Sequence, residues 1–170
     1  MTAIQLFKTP ESALYQSLPD STRIWIYQSN RPFSGDEIRV LKTLLTRFTR
    51  GWASHSRQLC AFGDVLFGRF ILLMVDENLA GASGCSIDAS VNFLQQLEKR
   101  YGVDLFDRLT FAWLKDGAVK TAEQDEFAQL YNEGTIGDET TVFDNLVKTK
   151  GDFEKTWLKP LGKSWHKRLV

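Results

Sequence analysis

The stretch Arg69-Phe-Ile-Leu-Leu-Met-Val75 restricts the fold of this chain more than any other. Its apolar core, Phe70 to Val75, is far shorter than the roughly 20 residues of a membrane-spanning helix. An apolar run of this length with no polar side predicts a strand covered on both faces, in the middle of a sheet. Phe67-Gly68 stands just before it and marks a hairpin back to a strand over 58–66. Arg23-Ile-Trp-Ile-Tyr-Gln28, rich in β-branched and aromatic residues, predicts an earlier strand.

Helical signals separate these strands. Ser34 and Glu37 have the spacing of a capping box. Ile38, Leu41, Leu45, Phe48 and Trp52 follow at steps of three and four, which places them on one helix face. Ile87, Val91, Leu94, Leu97 and Tyr101 form the stripe of a second helix, with Ser86 or Asp88 as its cap and Gly102 at its left-handed end. Residues 109–114 predict a further strand, and Asp116-Gly117 turns it into a short one over 118–121. A short helix over 123–131 has Phe127, Leu130 and Tyr131 as its apolar side. Residues 1–21 read as a weakly structured lead-in. Residues 134–170 lack a clean period and read as a C-terminal extension packed on the sheet. No repeat or linker divides residues 1–170, which predicts one domain.

The order β-α-β-β-α-β predicts an α+β, ferredoxin-like fold with an antiparallel or mixed sheet. Closed that way, strands one and three are expected as parallel neighbours. The loops 28–34 and 76–88 would then share one end of the sheet, each leading into a helix N-terminus. One sheet face takes the helices. On the strands, Trp25 and Tyr27 oppose Ile24 and Ile26, and Phe111 and Trp113 oppose Ala112 and Leu114, so the second face is apolar too. It needs a cover: the C-terminal segment with Phe143, Phe153, Trp157 and Trp165, a second subunit, or a ligand cavity.

Composition excludes several classes. With 43% hydrophobic and 25% charged residues the chain is expected to be globular. Twenty-one basic and 21 acidic residues cancel, and the isoelectric point near 6.7 lacks the footprint of a nucleic-acid or acidic-membrane binder. Two cysteines make no disulfide framework and suggest a reducing compartment. The first residues carry no basic-then-apolar leader, so a cytoplasmic location is expected.

The end where the two loops meet is the expected site. Unpaired N–H groups and positive dipole ends suit an anion there, and Arg31 adds a planar fork suited to carboxylate or phosphate. Ser29, Asn30, Arg31, Gly84, Ser86 and Asp88 are the expected ligand-binding residues. Asp88 also reads as a helix cap, and Arg31 as one half of a surface pair with Asp36. Cys85 at the helix start is the candidate nucleophile, in a position that favours thiolate, with packing in a tight loop as the plainer reading. Only His55 and His166 could serve it as an imidazole base, and neither sits in a motif. Asp76 and Glu77 stand at a strand end without a His or Cys cluster, so no metal is expected. Leu161-Gly-Lys-Ser164 resembles the tail of a phosphate loop, but Trp157 stands where that motif needs glycine. No cofactor motif is present.

At Ser21–Phe33, Arg69–Glu77, Ala82–Leu109, Val142–Val147 and Ser164–Val170 the chain resembles a small uncharacterised family of Bacteroidetes proteins, whose members often carry the label "ABC transporter ATPase". The resemblance spans most of the chain from about Arg23 onward and implies a cytoplasmic protein without an established activity. The label has no support in these residues: Walker A loop, signature motif and the length of an ABC domain are all missing. Three readings follow: a binding or regulatory domain for a small anionic ligand, a thiol-dependent enzyme using Cys85, and a structural module forming a homodimer through the second sheet face.

Overall fold

The computed structural model describes residues 9–170. In chain order the elements are α1 (Ala13–Ser17), β1 (Arg23–Gln28), α2 (Gly35–Gly51), the two-residue strands β2 (Ala53–Ser54) and β3 (Arg57–Gln58), β4 (Cys60–Leu66) and β5 (Phe70–Asp76). Then come α3 (Gly84–Tyr101), β6 (Thr110–Lys115), β7 (Ala118–Glu123), α4 (Gln124–Asn132), β8 (Thr141–Phe143), α5 (Lys150–Thr156) and β9 (Leu158–Pro160), with two 3-10 turns closing the chain at Leu161–Lys163 and Trp165–Leu169. The fold is α+β. Of the expected lead-in, residues 1–8 lie outside the described residues; Ala13–Ser17 is helical, and Tyr15 within it is fully buried.

Three strands form one sheet in the order β1-β5-β4, all antiparallel. The expected buried run is β5, the central strand, with Phe70 to Val75 inaccessible to solvent. The expectation of parallel strands one and three is corrected here: β1 and β5 are antiparallel, Arg23 facing Val75 and Gln28 facing Phe70. The reason is simple geometry. The α2 crossover returns the chain in β4 parallel to β1, and the β4–β5 hairpin then reverses it, so the strand between them opposes both. The ferredoxin-like order is also left incomplete. The strand that would be fourth, β6, does not pair with β1 but joins a second antiparallel sheet, β7-β6-β8-β9.

Four layers result. Leu41 and Leu45 of α2 and Leu94 and Leu97 of α3 pack with Trp25, Ile71, Leu73 and Val75 on the outer face of the first sheet. Each such leucine, fully buried, contributes roughly 2 kcal/mol. The other face carries Ile24, Phe62, Leu72 and Met74, which meet Ala112, Phe143 and Leu158 of the second sheet, with α1 and α5 at the seam. Phe111, Trp113 and Val142 on the far face of the second sheet are covered by Phe127 of α4 and by Leu161 and Trp165. The alternation expected on β1 and β6 is thus present, and the cover is a second sheet built largely by the C-terminal half. Phe143, Phe153 and Trp157 belong to the inter-sheet layer as expected of that segment, whereas Trp165 lies beyond it.

Local chemistry sets the helix ends. The Ser34–Glu37 capping box is formed in both directions. For α3 the cap is Ser83 rather than Ser86 or Asp88: Ser83 Oγ accepts from the Ser86 N–H, and Ser86 closes the box in place of the usual Glu. Gly102 ends α3 with φ of 60°, the left-handed conformation that glycine tolerates without strain.

Candidate functional site

The antiparallel β1–β5 pairing separates the residues expected to meet. The loop after β1 lies beside the C-terminus of α3, because Arg31 donates to the Tyr101 carbonyl and the Asn30 and Asp104 backbones bond to one another. Gly84, Cys85, Ser86 and Asp88 stand at the N-terminus of the same helix. Its 18 residues rise about 27 Å between the two groups.

Ser29, Asn30, Arg31 and Ser86 have structural roles where they lie. Ser29 is fully buried; its N–H donates to the Arg69 carbonyl, and its own carbonyl accepts from Arg69 Nε at 3.0 Å. Asn30 Oδ1 accepts from the Asp104 N–H at 2.9 Å. Arg31 pairs with Glu37 through both guanidinium nitrogens, at 2.9 and 3.0 Å, rather than with Asp36. That pairing holds the Glu37 carboxyl down to about 2, helped by the Ser34 N–H. Ser86 is buried in the capping box, its Oγ donating to the Ser83 carbonyl at 2.9 Å. Gly84 and Asp88 are exposed. Cys85 is exposed as well, and no hydrogen bond among the described residues joins it to His55 or His166.

A different place is concave. A cavity of about 550 Å³ opens where β6 diverges from β1. The whole of β1 forms one wall, with Thr110–Ala112 of β6, the 105–108 loop, the 145–149 loop and the Trp165-His166 pair around it. The volume falls within the range of small-molecule sites, about 300–1,000 Å³.

Polar side chains line part of its wall. Gln28 Nε2 donates to the Thr110 carbonyl at 3.1 Å, and Gln28 Oε1 accepts from Asn145 Nδ2 at 3.0 Å. Asn145 Oδ1 in turn accepts from the Trp157 indole at 3.0 Å. This chain ties the two sheets together at one side of the cavity. His166 is 1% exposed, stacked on Trp165 with ring centroids 3.9 Å apart, and its Nδ1 lies 2.7 Å from Ser164 Oγ. Its Nε2 makes no hydrogen bond among the described residues. Burial holds the imidazole down to about 4, Asp144 pulling upward and Lys159 downward, so it is neutral at pH 7.

Cations stand around the cavity. Arg23 lies 3.4 Å from Glu77 and over the Trp25 ring. Arg108 and Lys148 are exposed, and neither forms an ion pair among the described residues. Tyr27, packed edge-on against Phe106, has its phenol pushed up by burial, with Arg108 acting against that shift. Exposed Leu146 adds an apolar edge.

Sequence reasoning missed Gln28, Arg108, Asn145 and Lys148, and named His166 only as a possible base for Cys85. The available signal was the polar residues set within the aromatic C-terminal segments Val142–Val147 and Ser164–Val170, which both reach the cavity. Among the described residues no cluster of three His, Cys, Asp or Glu side chains could hold a metal ion, and no helix is long and apolar enough to cross a membrane. Compared with known proteins, the chain matches no family model, no curated protein and no solved structure.

Proposed function

We propose that this protein is a binding domain whose small, anionic, partly apolar ligand occupies the cavity between β1 and β6. The observation that carries this is the cavity itself, a concave space of about 550 Å³ whose lining sets the polar side chains of Gln28, Asn145 and His166 among aromatic rings, with Arg108 and Lys148 exposed at its edge. Aromatic walls would hold the apolar body, while Arg108 and Lys148, both without carboxylate partners, would meet the anion.

The anionic ligand expected from the sequence is kept, and its location moves. Arg31 has both its charge and its fork occupied by Glu37 and Tyr101, so it is no longer proposed as the anion's partner.

The test is a panel of small aromatic and aliphatic carboxylates, followed by amide chemical shifts and thermal unfolding. Ligands should perturb Ile26, Asn145 and the indole of Trp165. Charge reversal at both exposed cations (Arg108→Glu with Lys148→Glu) should weaken binding at least about tenfold, as expected for losing charge-assisted contacts. Binding that ignores the reversal, or no binding of any small anion at the cavity, would overturn the reading.

A further inference from the structure

The wall formed by β1 has a reading chemistry of its own. Two hydrogen bonds fix the direction of its peptide groups. Ile24 N–H donates away from β5, to the Lys148 carbonyl at 3.1 Å, and Ser29 N–H donates toward it, to the Arg69 carbonyl at 2.9 Å. In an antiparallel strand the N–H and C=O of one residue point to the same side, and the side alternates along the chain. Arg23, Trp25 and Tyr27 therefore make the ladder with β5, while Ile24, Ile26 and Gln28 turn their main chains outward. Ile24 N–H is used by Lys148. Ile26 N–H and C=O have no partner among the described residues. They stand in the cavity wall as an adjacent donor and acceptor.

The edge is closed at both ends. Thr149 bridges Arg23 at one, and the Gln28 side chain holds the Thr110 carbonyl at the other. The open stretch from Ile24 to Gln28 is about 13 Å long. A strand from another chain would have to run past both closures. Pairing with Ile26 alone needs only one amino-acid unit, which offers the complement that a residue offers across an antiparallel pair: one N–H and one C=O oxygen on the same side.

We infer that the ligand contains a single N-acylated amino-acid unit, its N–H donating to the Ile26 carbonyl and its carboxylate accepting from the Ile26 N–H and facing Arg108 and Lys148. This rests on the proposed reading of the cavity as a ligand site. The acyl group or side chain supplies the apolar body. The specificity is for the amide, because an analogue without it leaves the Ile26 main chain unpaired behind a dry ligand, the costly arrangement.

The experiment compares hippurate with 4-phenylbutyrate. The two share a phenyl ring, a chain length and a carboxylate, and differ by the amide. Uniformly ¹⁵N-labelled protein is titrated with each at millimolar concentration. Hippurate should bind at least about tenfold more tightly and move the Ile26 amide proton downfield. The variant Ile26→Pro removes the N–H without touching the β5 ladder, since an edge strand tolerates proline on its free side; it should bring the two affinities together. The comparison on the unaltered protein decides the matter if that variant does not fold. Equal affinities for the two compounds at the cavity would overturn the inference and leave the ligand-site reading standing. No perturbation of cavity residues by either compound would overturn both.

Discussion

Arg31 joins the last turn of α3, through the carbonyl of Tyr101, to the first turn of α2, through the carboxylate of Glu37. Its cation lies at the negative end of one helix and its partner carboxylate at the positive end of another, so both dipoles are satisfied by one ion pair. Arg31→Ala should lower the melting temperature by a few degrees and leave affinity at the cavity unchanged, as read by calorimetry and ligand titration. The lowered carboxyl of Glu37 adds a pH dependence. Its stabilising contribution is complete above the ordinary carboxylate range and fades as pH falls toward 2.

His166 should make the protein acid-sensitive. Its imidazole is held near 4 in the fold and sits near 6.5 when unfolded. Between those values the unfolded chain binds a proton that the folded chain does not, so stability is full above pH 6.5 and falls as pH drops toward 4. The loss by pH 4 is on the order of 3 kcal/mol. Urea unfolding at a series of pH values should show it, and His166→Gln should flatten the curve over that window. An unchanged slope in the variant would assign the acid sensitivity to carboxylates elsewhere.

Asn145 is the middle member of the polar chain from Trp157 to Thr110. Asn145→Leu keeps the volume but strands Gln28 Oε1 and removes one acceptor from the Trp157 indole. The acceptor left without its donor predicts a loss of roughly 1–3 kcal/mol by denaturant unfolding. A loss under about 0.5 kcal/mol would mean that water replaces the side chain.

Gly162 is present for close approach. A Cβ there would stand 2.9 Å from Asp138 Cβ, while the Gly162 N–H donates to the Asp138 carbonyl at 2.9 Å. Gly162→Ala should cost about 1–3 kcal/mol, the usual range for forcing atoms into filled space. The glycine of the phosphate-loop look-alike is thus explained by chain packing, and nucleotide should leave the protein's melting temperature unchanged.

Much of the fold was legible because its signals are local. The capping box at Ser34, the stripe of α2, the buried run of β5 and the Gly102 stop all depend on neighbours within a turn or a strand. The second sheet was not legible. Thr141–Phe143 and Leu158–Pro160 are too short to show a period, and they are strands only because they lie beside β6 and each other. The hairpin Ala53–Gln58 was overlooked for the same reason; His55 and Ser56 turn it with φ of 48° and 64°, values that neither residue type announces. The site was missed because its polar groups come from places distant in sequence. Gln28 and Asn145 are 117 residues apart and meet only where the second sheet packs on the first. The loop residues were chosen on a strand direction, and one reversal of direction moved them to opposite ends of α3.

An unpaired strand edge is ordinarily a hazard, since it offers a second copy of the same chain a template for endless pairing. Here the unused main chain of β1 is sunk between two loops and stoppered at Arg23 and Gln28. On the inferred reading the recess takes a unit the size of one residue, and a strand would have to run past both closures. Removing either stopper, by deleting the Thr149 bridge or the Gln28 side chain, would open the first sheet to fibre-like growth from its own edge. The same closures at Arg23 and Gln28 that bound the cleft also shorten the free edge open to strand pairing.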